Sequence, residues 1–331
     1  MLICNKCVLD ENFPGIRFDE SGVCNFCRME KPLEEQADKK NGFKQQFESL
    51  IEEHKGKGIY DVVVAYSGGK DSTYTLYMLK EQYGLNALAL TFDNWFFSER
   101  AHKNITNVVR SLGVDHINIR PNFDTYKTII NISADNDLYP LKAMQRASAI
   151  CTSCISIVRS ISFQVAIEKS IPFVAFGMSP GQAPLATSII KSNAKIMRQS
   201  QENSYKALYE HLGEKINPYF LSDAHFSLED RFPYSINPLA FNDYNEDNII
   251  ELIQQFDWKK PNDTDANSSN CLLNAYANEV HIKRYHINPY AYEIAGLVRT
   301  GAMDRDEGLR RLKEKTSESH ITPIKSQLNI N

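Results

Sequence analysis

The chain has 331 residues and a formal net charge of −4, with 42% hydrophobic and 24% charged residues. This balance is typical of a globular protein that is long enough for one large domain with smaller attachments. The slightly negative charge argues against a broad nucleic-acid-binding surface. The sequence has no run of about 18 apolar residues and no apolar signal-peptide core, so we expect no membrane span and a cytoplasmic location.

The first unit, residues 1–32, is bounded by cysteines. Cys4 and Cys7 form one C-x-x-C pair, and Cys24 and Cys27 form a second pair after sixteen residues. Each pair makes a turn that aims two thiolates at one tetrahedral ion, and four sulfur ligands leave no open coordination position. The spacing predicts a structural zinc ribbon, which residues 33–58 connect to the next domain as a helix.

Strands and helices then alternate in a predicted domain of residues 59–240. Apolar, β-branched runs predict strands, and helical spacing of apolar residues predicts the helices between them; the strands are 60–66, 87–92, 116–119 and 171–177, and the helices are 72–79, 98–112 and 155–169. Such alternation predicts an α/β fold with a doubly wound parallel sheet. We expect residues 185–260 to be mostly helical, the C-terminal region 241–331 likewise, and the last dozen residues to be frayed.

A glycine loop, Ser67-Gly68-Gly69-Lys70-Asp71-Ser72, joins the first strand to the following helix. The glycines let backbone N–H groups approach an anion, and the helix adds its positive N-terminal dipole. The serines add hydroxyl donors and Lys70 a full charge. Asp71 is costly beside a phosphate unless it caps the helix or helps to hold Mg²⁺. A plain turn is the alternative, but the strand and helix on either side favour a phosphate site.

Tyr66 and this loop resemble the PP-loop of the N-type ATP pyrophosphatases, which have a Rossmann-like (HUP) domain. The family cleaves ATP between the α and β phosphates and transfers AMP to a substrate oxygen, which a nucleophile then displaces. The resemblance implies that the loop residues bind pyrophosphate and Mg²⁺, with Asp71 essential for catalysis. It also implies that Phe92 and Asp93, at the end of the second strand, lie near the nucleoside, and that Gly177 faces the nucleotide.

Three cysteines lie outside the N-terminal unit, and they decide between functions. Cys151 and Cys154 are expected just before a helix, and Cys271 ends a polar loop. Three thiolates are one short of the usual ligands of a [4Fe–4S] cluster and would leave one iron open. This arrangement resembles that of cluster-dependent tRNA thiolases. Two alternatives remain: a persulfide relay between Cys151 and Cys154, and three ordinary structural cysteines.

The sequence therefore favours an ATP-dependent sulfurtransferase that replaces a carbonyl-type oxygen by sulfur. The alternative is an amidotransferase of the N-acetyl sugar type, which needs ammonia from a separate glutaminase subunit. Arg299, Gly301 and Arg305 resemble the R-x-G…R pattern at the end of that group, but they are equally typical of a helix break with solvated arginines. A nucleotide-sensing module without catalysis is a third reading.

Expected partners follow from these functions. The charge favours a small-molecule or nucleotide substrate over tRNA, and the sulfur source is a donor protein or sulfide. We expect no membrane partner, and a homodimer is compatible with the sequence. Residues 178–182, which follow the fourth strand, either bind substrate or form a plain turn.

Overall fold

The computed structural model describes residues 2–265, 267–314 and 317–330. Its strands are β1 (Val62–Ala65), β2 (Ala87–Phe92), β3 (Asp115–Ile119), β4 (Phe173–Phe176), β5 (Ile189–Lys191) and β6 (Tyr234–Ile236). They form a six-stranded sheet in the order β3-β2-β1-β4-β6-β5. Each neighbouring pair is parallel except β5 and β6, which are antiparallel at one edge. The predicted doubly wound α/β fold is confirmed.

Helices cover both faces of this sheet and form most of the C-terminal region. The α-helices are α1 (Asn25–Arg28), α2 (Leu33–His54), α3 (Lys70–Tyr77), α4 (Glu99–Leu112), α5 (Phe123–Asp135), α6 (Leu141–Met144), α7 (Ala149–Glu168), α8 (Ala194–Leu212), α9 (Asp223–Phe226), α10 (Glu246–Gln254), α11 (Leu273–Tyr285), α12 (Ala291–Arg299), α13 (Arg305–Lys313) and α14 (Glu318–Leu328). Shorter 3₁₀ turns are Leu185–Thr187, Gly213–Tyr219, Glu229–Arg231 and Pro238–Ala240, and Met78–Gln82 extends α3 as a π-helix.

The two faces of the sheet have separate apolar cores because side chains alternate along each strand. In β1, Val63 packs into the core that includes α5, α7 and α11. Its neighbours Val62 and Val64 pack into the opposite core with Phe47 and Trp258. Strand order reverses between β1 and β4, so the loop after β1 lies at the switch point where such sheets bind ligands.

The N-terminal unit packs against the C-terminal helices instead of the sheet. Its four cysteines share an apolar cluster with Ile287, Ala291, Ile294 and Ala295. Residues of the N-terminal unit and residues between 285 and 312 thus pack in one apolar cluster, separate from the two cores of the sheet.

Helix α7 is long and apolar enough, by length and composition, to cross a membrane, and among the described residues it is the one helix that passes this test. Just over half of its most apolar window is buried inside the protein. The helix contacts β1, β4, α5, α8 and α11. Packing in the core therefore accounts for its apolar composition, a feature that the sequence analysis did not anticipate.

Residues 185–260 are mostly helical, as expected, but the short strands β5 and β6, which were not predicted, also lie there and extend the sheet. Two other local predictions are wrong. Helix α7 begins at Ala149 instead of 155, because the Ser148 side chain accepts a hydrogen bond from the backbone N–H of Cys151 and caps the helix. The last residues are not frayed, since α14 buries Ile321, Ile324 and Leu328 against the core.

Candidate active site

The glycine loop leaves β1 and enters α3 in a conformation that requires glycine at position 68. Gly68 has φ +73°, and a Cβ atom there would lie 2.6 Å from Cγ1 of Ile105. A Cβ atom on Gly69 would lie 2.9 Å from Oγ of Ser269. The loop and the start of α3 line a cavity of about 250 Å³. Because the first N–H groups of a helix have no partner within the helix, they are available to an anion in this cavity.

Hydrogen bonds within the loop, and others from residues far away in the sequence, stabilise its conformation. Oγ of Ser67 lies 3.1 Å from Oγ of Ser72, and the Ser72 hydroxyl donates to the Gly69 carbonyl at 3.1 Å. The buried indole N–H of Trp258 donates to the Gly68 carbonyl at 2.8 Å. The backbone N–H of Lys70 donates to Oγ of Ser269 at 3.2 Å. A serine hydroxyl from the C-terminal part of the chain therefore lies at the helix terminus, where a phosphate oxygen would bind.

Charged side chains form a network beside the loop. Nζ of Lys70 lies 2.8 Å from Asp71 Oδ2, 3.0 Å from Tyr244 OH and 3.8 Å from Glu246 Oε2. Burial disfavours the charge on Lys70, but Asp71, Tyr244 and Glu246 outweigh that effect and hold its pKa well above the ordinary value. With Lys260 and Arg311, which also line the cavity, the site has three cationic side chains for a polyphosphate.

Three other residues were predicted to lie near the nucleotide, and each has different surroundings: Gly177, Phe92 and Asp93. Gly177 lies against the loop, where a Cβ atom would be 2.7 Å from Cα of Ser72. Phe92 lines a second cavity next to the first. The Asp93 carboxylate is buried, and it accepts hydrogen bonds from the Arg120 guanidinium and from the backbone N–H of Trp95. Its charge is thus already paired within the protein.

The second cavity, of about 330 Å³, brings together the three remaining cysteines. Cys151 and Cys154 lie one turn apart at the start of α7, so both side chains are on the same face. Cys271 arrives on the segment before α11, where a β-bridge joins it to Phe97. The Leu272 backbone N–H donates to the Phe96 carbonyl at 2.7 Å. Backbone pairing therefore fixes Cys271 opposite α7.

Amide groups point at all three sulfur atoms. Nδ2 of Asn94 lies 3.4 Å from the Cys271 sulfur and 4.0 Å from that of Cys154, and Nδ2 of Asn274 lies 4.0 Å from that of Cys151. Burial raises the pKa of Cys151 to about 12 and that of Cys154 to about 11. Three thiols that line one cavity, each near an N–H donor, fit the ligand set of a cluster, whose cysteines bind separate irons.

The two cavities are adjacent and share part of their lining. The residues that line both are Ser67, Ser72, Gly177, Gln182, Asn270, Asn274, Tyr290 and Glu293. Glu293 on α12 accepts hydrogen bonds from the Ser179 hydroxyl at 2.7 Å and from Nε2 of Gln182 at 2.9 Å. Burial raises the pKa of its carboxyl group. Sequence reasoning missed Glu293, because a single acidic residue in a helix carries no distinguishing pattern.

The N-terminal cysteines form a different kind of site. All four are buried, and their sulfur atoms lie within 4.8 Å of one another; within the described ranges, no other set of at least three such ligands is so close. The Cys27 thiol lowers the pKa of Cys7 to about 5 by hydrogen bonding to it. Four convergent sulfurs match the ligand set of a tetrahedrally coordinated metal ion such as zinc or iron.

The C-terminal arginines of the R-x-G…R pattern contact this N-terminal unit. The Arg305 guanidinium donates to the backbone carbonyl of Cys4 at 2.7 Å and to that of Cys7 at 3.0 Å. Nε of Arg299 lies 3.3 Å from a Glu30 carboxylate oxygen. Gly301 has φ +74° just after α12. The pattern therefore joins the two ends of the chain, which the sequence alone did not indicate.

No known protein-family profile matches the chain. An uncharacterised protein of Methanocaldococcus jannaschii, MJ1599, is 22% identical over 312 residues, which are 94% of this chain and 86% of that protein. Among solved structures, the U34-tRNA thiolase NcsA from Methanococcus maripaludis with its [4Fe–4S] cluster is 18% identical with a TM-score of 0.36, covering 92% of this chain and 90% of its own. The NMN synthetase from Francisella tularensis is 14% identical with a TM-score of 0.38, covering 91% and 94%.

These likenesses are remote and concern the fold alone. A doubly wound sheet has a glycine loop of PP-loop sequence at its switch point, between β1 and α3. A unit with four buried cysteines that could hold a metal ion precedes that domain. The molecule is thus a doubly wound α/β protein with a glycine loop at the switch point of its sheet and an N-terminal four-cysteine unit.

Proposed function

We propose that this protein is an ATP pyrophosphatase that adenylates a carbonyl-type oxygen of its substrate and replaces this oxygen by sulfur. The observation that carries the proposal is the shared lining of two adjacent cavities, one beside the glycine loop and one that contains Cys151, Cys154 and Cys271. An adenylate formed in the first cavity would be within reach of sulfur held in the second.

The first half-reaction uses the loop. The substrate oxygen attacks the α phosphorus of ATP, a new P–O bond forms, and the bond to the β phosphate breaks with release of pyrophosphate. The loop amides, Lys70, Lys260 and Arg311 would bind the departing pyrophosphate. Asp71 supplies carboxylate oxygens of the type that Mg²⁺ prefers.

The second half-reaction needs a sulfur nucleophile. A [4Fe–4S] cluster would be held by Cys151, Cys154 and Cys271, and when bound it supplies an open iron position for an exogenous sulfide. Asn94 and Asn274 would then donate to the ligand sulfurs and orient them. Phe92, Ile150, Leu273 and their apolar neighbours would exclude water from the adenylate.

A persulfide route uses the same cysteines. One cysteine thiolate first takes the terminal sulfur from a persulfide on a donor protein, whose own thiolate leaves. This terminal sulfur then attacks the adenylated carbon, and AMP leaves with the former carbonyl oxygen. A second thiolate then attacks the remaining cysteine sulfur, so that the thiocarbonyl product departs and a disulfide forms. A dithiol reductant must return this disulfide to two thiols before the next cycle.

Further parts of the proposal concern the ion, substrate and partners. The N-terminal cysteines would bind structural Zn²⁺, since their closed shell leaves no position for a substrate. We favour a small molecule or nucleotide over tRNA because the net charge is −4. The sulfur would come from sulfide or a donor protein in the cytoplasm, and a glutaminase partner is expected only if ammonia is the nucleophile.

The test of sulfur chemistry is anaerobic purification followed by assays of iron, acid-labile sulfide, cyanide-labile sulfur and zinc. We expect iron with sulfide, or cyanide-labile sulfur, in the wild type, a loss of both in Cys151→Ala, and a loss of iron and sulfide in Cys271→Ala. Thr152→Ala, on the same helix but outside both cavities, is the matched control and should keep them. Zinc alone, with no sulfur in any variant, would contradict sulfur transfer and favour ammonia.

A second test concerns the loop. Asp71→Asn keeps the shape of the side chain but removes its charge, so the Mg²⁺-dependence of ATP binding should fall. We expect Mg²⁺ to strengthen binding of α,β-methylene-ATP to the wild type by at least about tenfold and to have little effect on the variant. Equal dependence in both, measured by titration calorimetry, would mean that Asp71 is not a Mg²⁺ ligand.

A further inference from the structure

Helix α13 reaches from the N-terminal metal-binding unit to the cavity beside the glycine loop. Its first residue, Arg305, donates to the Cys4 carbonyl at 2.7 Å and to the Cys7 carbonyl at 3.0 Å. These carbonyls belong to the C-x-x-C turn that wraps the metal position. The conformation of that turn depends on the ion, because two of the four ligands are the turn's own cysteines.

The other end of α13 contacts the charge network of the phosphate cavity. Nη1 of Arg311 lies 3.0 Å from Oε2 of Glu246, and that same oxygen lies 3.8 Å from Nζ of Lys70. Lys70 in turn pairs with Asp71. Burial opposes the charge of Glu246, but Lys70 and Arg311 outweigh it and lower its pKa. The Glu246 carboxylate is therefore shared between Arg311 and Lys70. Without Arg311, this carboxylate would attract Lys70 more strongly and hold it away from a phosphate.

The middle of α13 packs tightly between the N-terminal unit and helix α12. A Cβ atom on Gly308 would lie 3.0 Å from Cγ1 of Val8 in the metal-binding unit and 3.0 Å from Cγ2 of Ile294 on α12. Ile294 also lines the phosphate cavity. A displacement of the metal-binding unit would therefore be transmitted to α13 and α12 as a shift, because well-packed contacts of this kind deform little.

We propose that Arg305 and Arg311 are positioning residues through which metal binding at the four cysteines strengthens nucleotide binding at the glycine loop. With the ion bound, the C-x-x-C turn fixes Arg305, and α13 then holds Arg311 on Glu246. Lys70 and Asp71 are thereby kept in the arrangement that accepts Mg²⁺ and phosphate. This inference rests on the proposed ATP site, and it gives the ribbon a role in the reaction besides folding.

Coupling between two binding sites is reciprocal, which provides a test that needs no substrate. If the ion strengthens nucleotide binding, bound nucleotide must retain the ion by the same factor. Couplings of this kind typically amount to about 5- to 150-fold. The probe is Mg²⁺ with α,β-methylene-ATP, which cannot be cleaved between the α and β phosphates.

The experiment combines titration calorimetry with the release of metal from the intact protein to a coloured chelator. For the wild type, we expect the analogue to slow metal release at least about fivefold. In Arg305→Ala with metal still bound, we expect analogue affinity to fall by a similar factor and the protection of the metal to disappear. Arg310→Ala is the matched control, because Arg310 lies on the same helix but contacts Glu307 and Glu314.

The outcomes separate this inference from the proposed function. If the wild type does not bind the analogue, both the ATP site and the coupling are contradicted. If it binds the analogue but releases metal at the same rate with and without it, the coupling alone is overturned. The wild-type comparison decides even if Arg305→Ala loses its metal, and Arg311→Lys, which keeps a cation near Glu246, should retain part of the effect.

Discussion

The N-terminal cysteines and the cavity cysteines differ in what surrounds their sulfur atoms. In the N-terminal set, four buried sulfurs converge within 4.8 Å and face one another. In the cavity set, Cys151, Cys154 and Cys271 face an open volume of about 330 Å³ and have amide donors beside them. The arrangement of the first set fits a single ion, whereas the second set leaves room for a reactant.

Because of this difference, the spacing of cysteines in the sequence is enough to predict that the N-terminal set (the closed set) converges, but not that the cavity set (the open set) does. Two C-x-x-C pairs separated by a short loop need little more than local turns to converge. The cavity set depends on the fold, because Cys271 reaches α7 only through the β-bridge to Phe97. Its position beside the cavity at the glycine loop supports the sulfur chemistry that the sequence favoured and that we propose.

The largest expected effect concerns the closed set. Cys24→Ser removes one of four ligands, and structural zinc contributes on the order of 10 kcal/mol to the folding of such units. We expect loss of the metal and a large fall in melting temperature, measured by calorimetry with metal analysis. Cys154→Ser, in the open set, should lower stability by no more than about 2 kcal/mol. Equal losses in the two variants would remove the distinction between the sets.

Thiol reactivity should separate the sets by rate. After aerobic purification with a reductant, iodoacetamide should label the three cavity cysteines slowly at neutral pH, because burial raises their pKa. Their labelling should become roughly tenfold faster for each unit by which the pH is raised, whereas the four cysteines that hold the metal should stay unlabelled over the same range. A chelator should then expose the N-terminal set and reverse the order. Mass spectrometry of the labelled peptides measures each site. Fast labelling of Cys4 or Cys24 while the metal is bound would contradict a closed site.

A smaller effect is expected from the amide donors. Asn94→Asp keeps the oxygen that accepts from the Phe96 backbone N–H at 3.0 Å, but replaces the N–H donor to two sulfurs by a negative charge. We expect several-fold less iron or cyanide-labile sulfur in the variant, because unfavourable neighbours of metal ligands typically cost about 10- to 100-fold in affinity. Zinc content should be unchanged. Equal sulfur content would show that Asn94 only shapes the turn.

The smallest expected effect is on the loop itself. Trp258→Phe removes the indole N–H that donates to the Gly68 carbonyl and leaves this buried acceptor without a partner. A lost partner of this kind costs about 1–3 kcal/mol. We expect that loss in the free energy of denaturant unfolding. Trp95→Phe, at a half-exposed ring, is the control and should change stability by less. Equal losses would mean that the hydrogen bond does not brace the loop.

The sequence predicted the sheet well where its signals are local. The strands β1 to β4 are β-branched, apolar runs between helices, and Ser67 to Ser72 form a motif within six consecutive residues. Strands β5 and β6 escaped prediction because each has three residues and lies between helical segments. The start of α7 was missed because Ser148, a single capping residue, decides it.

The site could be predicted only in part, for a similar reason. The loop residues are consecutive, but Ser269, Trp258 and Glu293 reach the site through tertiary packing. The Lys70–Ser269 hydrogen bond joins residues 199 positions apart, and the Ser179–Glu293 bond joins residues 114 apart. No periodicity or spacing in a single sequence encodes such pairs.

The most direct test of the proposal follows both halves of the reaction at once. The purified protein is incubated anaerobically with ATP labelled at the α phosphate, ³⁵S-labelled sulfide and either a low-molecular-weight cell extract or total tRNA. We predict that the wild type forms AMP and a ³⁵S-labelled product in equal amounts in the extract, and that Cys151→Ala forms no labelled product. Undiminished ³⁵S incorporation by Cys151→Ala, or incorporation of ammonia in place of sulfur by the wild type, would contradict sulfur transfer from the cysteine cavity.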